Sequence, residues 1–353
     1  MTPEVLWTPL PDARSKARVG AYLAWLEANL DLGFDTYDAA WRWSVENPGA
    51  FWASVWRFFD VPSAGDPDVG LAEARMPGAR WFPGTALNYA EAVLRLPGRQ
   101  SDDVVVVGRS QTRGPVELTA AELRDQVARC RAGLRALGVG PGDRVAAFLP
   151  NVPETIVGFL ATASLGAIWS SCAPEFGLRA VIDRFGQIEP KVLLTVDGYR
   201  YGDRDVDRTS EAAEIRAALP SLEATVVLPY LDAARAAAIP GAVPWSDLLA
   251  EAAPLAFERL PFDHPLYVLY SSGTTGLPKP IVHGHGGILL EHLKALALHT
   301  DLGPADRFCW FTTTGWMMWN YLVSGLAVGS TVVTFDGNPA FPDVSGLWRL
   351  AAE

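Results

Sequence analysis

The sequence predicts an α/β protein with largely parallel sheets flanked by helices and an aromatic-rich helical cap at the N-terminus. Three observations lead there. From about residue 115, helix-like and strand-like segments alternate, the order that builds parallel sheets with helices on both faces. The strand-like segments are continuous apolar runs, such as KVLLTV (191–196) and ATVVLPY (224–230), as strands covered on both sides require. The first ninety or so residues differ. FDTYDAAWRWSVENPGAFWASVWRFFD (34–60) carries Trp41, Trp43, Phe51, Trp52, Trp56, Phe58 and Phe59, a spacing suited to amphipathic helices that cover another domain. The division expected is a cap over 1–95 and a large domain over 96–353.

The elements follow in chain order. VPSAGDPDVG (61–70) is a looser Pro/Gly link, and ARWFPGTALNYAEAVLRL (79–96) reads as a turn and a helix. LTAAELRDQVARCRAGLRALG (118–138) is a strong helix. Thr119 and Glu122 form a capping-box signature. Leu123, Val127, Cys130, Leu134 and Leu137 share a face, and Gly138 stands where a C-terminal cap belongs. GPGDRVAAFLP (140–150) is a turn and a buried strand. Helices are then expected over 153–165, 178–187, 208–219, 286–299 and 316–326. Strands are expected over 167–171, 191–196, 223–229, 266–270, 307–312 and 330–335. The chain stops inside VSGLWRLAAE, which reads as the start of a helix with no closing strand. The expectation is an incomplete layer, and hence a fragment.

Composition narrows the function. With 49% hydrophobic and 20% charged residues the chain can bury a large core and is not a disordered one. A net charge of -11 argues against nucleic acid as partner, because phosphate backbones need clustered Lys and Arg. Cys130, Cys172 and Cys309 form no CxxC pair, so neither a disulfide framework nor a zinc site is expected and a cytoplasmic location fits. The N-terminus has no basic region leading into an apolar one, so it is no signal peptide. Two uncharged stretches, 155–174 and 309–335, are long enough to cross a bilayer. Internal polar residues, the flanking Glu154 and Glu175, and the lack of Lys/Arg asymmetry make buried helix-plus-strand the better reading. No membrane association is expected.

One loop carries the chemistry. In YVLYSSGTTGLPKPIVHGHGG (267–287) an apolar strand gives way to six small residues and then Lys279. Hydroxyls and successive backbone N–H groups can donate to phosphate oxygens. Gly273 and Gly276 allow backbone angles closed to other residues, and Lys279 adds a mobile positive charge. A Walker A loop is excluded, because Gly276 stands three residues before Lys279 and Pro280 follows it; the GxGxxG fingerprint is absent too. The segment TTTGWMMWNY (312–321) offers Trp316, Met317, Met318 and Trp319 either as core or as the wall of a small apolar pocket, with Thr or Asn meeting a carbonyl. All five histidines lie between His264 and His299. His283 and His285 have HxH spacing, but no Cys or carboxylate cluster stands near, so no metal is expected there. Lining the site is the better reading for that pair, and an ordinary surface or packing role for His292 and His299.

YSSGTTGLPK resembles the phosphate-binding signature of the adenylate-forming superfamily, which includes acyl-CoA synthetases, luciferases and peptide-synthetase adenylation domains. The likeness extends over nearly the whole chain. WRWSVENPGAFWASVWRFFD (41–60) and ARWFPGTALNYAEAVL (79–94) are similar to the N-terminal cap of the short-chain branch. GVGPGDRVAAFLPNVPETIVGFLATASLGAIWSSCAPEFG (138–177) is similar to the superfamily's first core motifs. PKPIVHGHGG (278–287) and FTTTGWMMWNYLVSGLAVG (311–329) look most like the branch that activates acetoacetate, ahead of those for acetate or propionate.

The resemblance implies the large domain of that fold, in part, and a two-step ligation using ATP, Mg²⁺ and coenzyme A. A carboxylate attacks the α-phosphate of ATP to give an acyl adenylate and pyrophosphate, and the CoA thiol then takes the acyl group. It implies phosphate contacts from Ser271, Ser272, Gly273, Thr274, Thr275, Gly276 and Lys279, with Lys279 and Thr275 acting in catalysis. It places Thr314, Trp316, Met317 and His283 beside the acyl group. Pro280 departs from the pattern, where glycine usually follows the lysine; it withdraws an N–H and biases Lys279 toward extended geometry. The family's adenine-stacking motif, its ribose-binding aspartate and its C-terminal domain with a catalytic lysine match no segment here. Residues 1–353 alone are therefore expected to ligate little or nothing. A non-catalytic nucleotide-binding protein is the reading from another class.

Overall fold

The computed structural model describes residues 6, 8, 9, 11–271 and 276–353. The cap opens with helices α1 (Arg18–Leu30), α2 (Tyr37–Glu46) and α3 (Pro48–Phe58). Thr36 caps α2 by accepting from the Ala39 N–H, and Pro48 stands in the first turn of α3, where its missing N–H costs nothing. The aromatic spacing has its use here. Tyr22 meets Phe58 at 5.2 Å, while Trp56 meets Phe82 at 4.7 Å. Phe82 in turn meets Phe262 of the large domain at 4.9 Å. A Cβ at Gly286 would fall 2.1 Å from the Phe262 ring, so this docking needs glycine. Helix α4 (Tyr89–Leu94), capped by Asn88, follows.

The chain then runs β1 (Val104–Ser110), β2 (Val116–Thr119), α5 (Ala120–Ala136), β3 (Arg144–Phe148), α6 (Pro153–Ser164), β4 (Ile168–Cys172) and α7 (Leu178–Phe185). It continues with β5 (Val192–Val196), α8 (Thr209–Ala218), β6 (Ala224–Leu228), β7 (Val243–Pro244), β8 (Pro265–Ser271) and β9 (Lys279–Gly284). The last elements are α9 (His285–Leu293), a π-helical extension (Lys294–His299), β10 (Arg307–Cys309), α10 (Met317–Val323), β11 (Thr331–Asp336) and α11 (Gly346–Ala352). The capping box at Thr119 and Glu122 forms, and Gly138 follows α5 at φ +82°.

The strands divide between two sheets. One has the order β7-β6-β5-β3-β4-β8-β9, parallel throughout except for the outer strand β9. The other has the order β10-β11-β1-β2, with β2 antiparallel. VVVVGRS forms β1, which pairs Val106 with Val332 and so carries the second sheet. Alternation does not reveal it, because its parallel partner lies far along the chain. The hairpin of Gly198–Tyr201 with Arg204–Asp207 is likewise an addition to the expected elements.

Helix α6 is buried on every side. Its Thr155 and Thr162 hydroxyls donate to the Pro150 and Gly158 carbonyls, so no polar atom needs water. That explains the first uncharged stretch as α6 plus β4, and the second is β10, α10 and β11. Among the described residues no helix is long and apolar enough to cross a membrane. Phe159 of α6 centres the core, 5.6–6.0 Å from Tyr89, Trp169, Tyr267 and Trp319.

Candidate active site

Strands β3, β4 and β8 are parallel, so their carboxyl ends share one edge of the first sheet. In open α/β sheets ligands bind outside that edge. Ser271 ends β8, and Lys279 opens β9 directly opposite it in the ladder. Between them Ser272, Gly273, Thr274 and Thr275 lie outside the described residues. Gly276 has φ +97° with open space where a Cβ would stand, so its backbone angle, not crowding, calls for glycine. Pro280 pairs with Tyr270 on the outer strand, where a sheet tolerates proline, and Lys279 is extended.

Side chains alternate along a strand. The regular register from Tyr267 opposite His283 to Ser271 opposite Lys279 puts these four residues on one face. His283 is half-buried, with Nδ1 3.4 Å from the Tyr267 hydroxyl, and burial pushes its imidazole below the usual range. The other face of β8 carries Tyr270, which turns to α7.

The segment around residue 314 is pinned to the same edge. The Thr314 hydroxyl donates to the Leu149 carbonyl after β3 (2.7 Å), and the Thr314 carbonyl accepts from Ser171 of β4 (2.7 Å). Thr314 is fully buried, with its hydroxyl engaged by the backbone. Trp316, the N-cap of α10, is 58% exposed and Met317 48% exposed, whereas Trp319 is fully buried. Trp319 stacks on Trp169 at 6.2 Å and donates Nε1–H to Asn151. The aromatic run thus supplies both core and surface: Trp319 to the first, Trp316 to the second.

His285 corrects the reading of the HxH pair. It opens α9 inside the core, fully buried, and its Nδ1 accepts from the Tyr89 N–H. Burial drives its pKa down to about 3, so it is neutral, with the proton on Nε2. It is a packing residue, not a lining one. His292 is buried against Ser324, which also meets the Tyr89 hydroxyl, each at 2.6 Å. Among the described residues no group of three or more His, Cys, Asp or Glu is placed to hold a metal ion.

Two buried polar features remain: Asn320, the Asn expected to meet a carbonyl, and a cluster at Tyr230 that the sequence reading missed. Asn320 of α10 is 1% exposed and its side-chain amide has no protein partner among the described residues. The second joins the two sheets. The Tyr230 hydroxyl donates to Asp336 at the end of β11 (2.7 Å) and meets Ser110 at the end of β1 (2.6 Å). Its backbone N–H goes to Asp197, just after β5 (2.7 Å). Burial, then the charge of Glu175, lifts the Asp336 carboxyl to about 7. The sequence did hold a signal: Asp197 and Asp336 each close an apolar run at a strand's carboxyl end. A separate cavity of about 480 Å³, lined by Trp41, Trp43, Phe51, Trp52 and Lys294, opens in the cap and shares no residue with this edge.

A sheet edge that gathers a Gly/Ser/Thr loop, its lysine and an aromatic segment matches a known class. The chain belongs to the AMP-binding enzyme family, whose model matches residues 95–353; residues 37–93 match the acetyl-coenzyme A synthetase N-terminus. It is 47% identical to acetoacetyl-coenzyme A synthetase of Rhizobium meliloti (strain 1021) and 40% to acetoacetyl-CoA synthetase of Macaca fascicularis. Each comparison covers 98% of this chain and 53% of the relative. The solved acetoacetyl-CoA synthetase from Streptomyces lividans superposes with a TM-score of 0.95 at 50% identity, over 99% of this chain and 54% of that one. The chain therefore spans about half the length of the relatives it matches.

Proposed function

We propose that this chain forms the cap and the first part of the large domain, divided near residues 95 and 96, of an enzyme that joins acetoacetate to coenzyme A through an acyl adenylate. The observation that carries it is the placement of Ser271 opposite Lys279 at the carboxyl edge of the first sheet, beside the strands that pin residue 314. The likeness to acetoacetyl-CoA synthetases supplies the choice of acid. Acetoacetate, ATP and coenzyme A are the partners; nucleic acid and membrane are not, in keeping with a net charge of -11. A cytoplasmic setting suits three free cysteines.

In this reading the acid's carboxylate oxygen bonds to the α-phosphorus and the bond to the pyrophosphate oxygen breaks. Negative charge grows on the leaving group. Hydroxyl and N–H donors from Ser271 to Gly276, with Lys279, stabilise that charge more than they stabilise bound ATP, which lowers the barrier. Thr275 and Lys279 take the catalytic part in this reading. Trp316, Met317 and His283, with Thr314 fixing the segment, border the acyl group. Mg²⁺ bound with the nucleotide would share the leaving group's charge.

The test is Lys279→Ala in a chain spanning the relatives' full length. Removing one preorganised charge-stabilising donor costs about 10²- to 10³-fold in rate, and Lys279 is exposed, so folding should change little. ATP–pyrophosphate exchange at the wild-type rate would remove the role assigned to Lys279.

A further inference from the structure

We infer that the end of α7 is a clamp for the phosphate loop, and that Gln187 is a positioning residue acting through Pro278; this rests on the phosphate reading above. The two feet of the loop, Tyr270 before it and Pro278 after it, are both tied to residues 183–187. The Tyr270 hydroxyl donates to the Arg184 carbonyl at 2.6 Å. The Gln187 side chain donates from Nε2 to the Pro278 carbonyl at 3.0 Å and to the Asp183 carbonyl at 2.7 Å. The Arg184 guanidinium lies 5.9 Å from the Tyr270 ring centre and 5.2 Å from that of Phe176.

Helix ends leave carbonyls without partners inside the helix. Here two of them, at Asp183 and Arg184, accept from groups that also fix the loop. Gln187 is exposed, so its bonds add little to global stability. Their consequence is local. Pro278 immediately precedes Lys279, so the bond to its carbonyl fixes where the lysine leaves the loop. Pro278 and Pro280 have no N–H to give the ladder, so beside the pairing of Lys279 with Ser271 the Pro278 carbonyl is a further handle.

A clamp of this kind raises the fraction of molecules in which Lys279 stands in place before nucleotide arrives. Without it, apparent affinity falls by that fraction. Once ATP is bound, its phosphates hold Lys279 themselves, so turnover changes little. The signature is a rise in KM for ATP with kcat held. This differs from Lys279→Ala, which removes charge stabilisation and lowers kcat.

Gln187→Glu keeps the shape and removes both donors. In ATP–pyrophosphate exchange by the full-length chain it should raise KM for ATP about three- to tenfold, the weight of a single hydrogen bond. Its kcat should stay within about twofold. Gln187→Lys restores an N–H donor and should bring KM back toward wild type. Tyr270→Phe removes the other tie and carries the same expectation, so the clamp stays testable if Gln187→Glu does not fold. In the 353-residue chain both variants should speed hydrogen exchange in segment 276–284 and leave α5 unchanged. An unchanged KM for ATP in Gln187→Glu and Tyr270→Phe overturns the clamp if Lys279→Ala has slowed exchange. So does a lowered melting temperature with KM unmoved, which marks a merely structural contact. If Lys279→Ala is silent too, the phosphate reading fails and the clamp falls with it.

Discussion

Asp336→Asn should remove a pH dependence of stability that the Tyr230 strut builds in. Asp336 is 4% exposed and accepts from Tyr230, which Ser110 also meets. Around it stand Arg113 and Glu154, paired to each other, with Glu175, Tyr199 and Arg208 beyond. Burial is the largest cause of its lift from 3.8 to about 7, and Arg113 opposes that lift. A carboxyl raised in the folded state binds a proton there that the unfolded chain has already lost. Its contribution is fully present below pH 3.8 and is lost as pH rises to about 7. At 1.36 kcal/mol per pKa unit the full swing is on the order of 4 kcal/mol. Roughly 2–3 kcal/mol of it falls between pH 5 and pH 8. Asparagine keeps the acceptor for Tyr230 and carries no charge. Urea unfolding of both chains at pH 5, 6, 7 and 8 reads the difference. The variant should resemble the wild type at pH 5 and exceed it in stability by pH 8. Parallel profiles would show that Asp336 is ionised in the folded protein throughout, and would refute the reasoning.

Other expectations concern packing and caps. Thr119→Ala loses the capping box of α5 and should cost about 1 kcal/mol in urea unfolding; no change would mean the cap is idle. Trp319→Ala empties a fully buried site and should cost about 3–5 kcal/mol. Trp316→Ala, at an exposed site, should cost under about 0.5 kcal/mol while raising KM for the acid. Equal losses of stability from the two tryptophans would contradict their assignment to core and surface.

Much of this was legible in the residues, for reasons that differ from element to element. The helix at 120–136 announced itself because a capping box, one apolar face and a terminal glycine all agree. The five inner strands of the first sheet were legible as apolar runs too short for helices; the outer strands β7 and β9 are not such runs. β1 was missed although VVVV is a β-branched run of the kind that forms strands; what the sequence hides is its pairing with residues 332–336. The loop declared its chemistry through composition, since few other functions call for Ser, Thr, Gly and Lys packed after a buried strand. What the sequence could not separate was side from side. Trp316 and Trp319 stand three residues apart in one aromatic run, and only the stacking of Trp319 on Trp169 shows which is core. His283 and His285 were linked by spacing, yet a strand ends between them and sends the second inward. The buried strut at Tyr230 was hidden for a related reason: its partners come from the ends of different sheets.

Acid-dependent ATP–pyrophosphate exchange tests the central claim most directly. The chain extended to the relatives' full length would be given acetoacetate, acetate, propionate and 3-hydroxybutyrate in turn. Exchange should be fastest at limiting acid with acetoacetate and should collapse in Lys279→Ala. Exchange that prefers acetate or propionate would contradict the choice of acid. No exchange with any of the four would contradict the proposed adenylation itself.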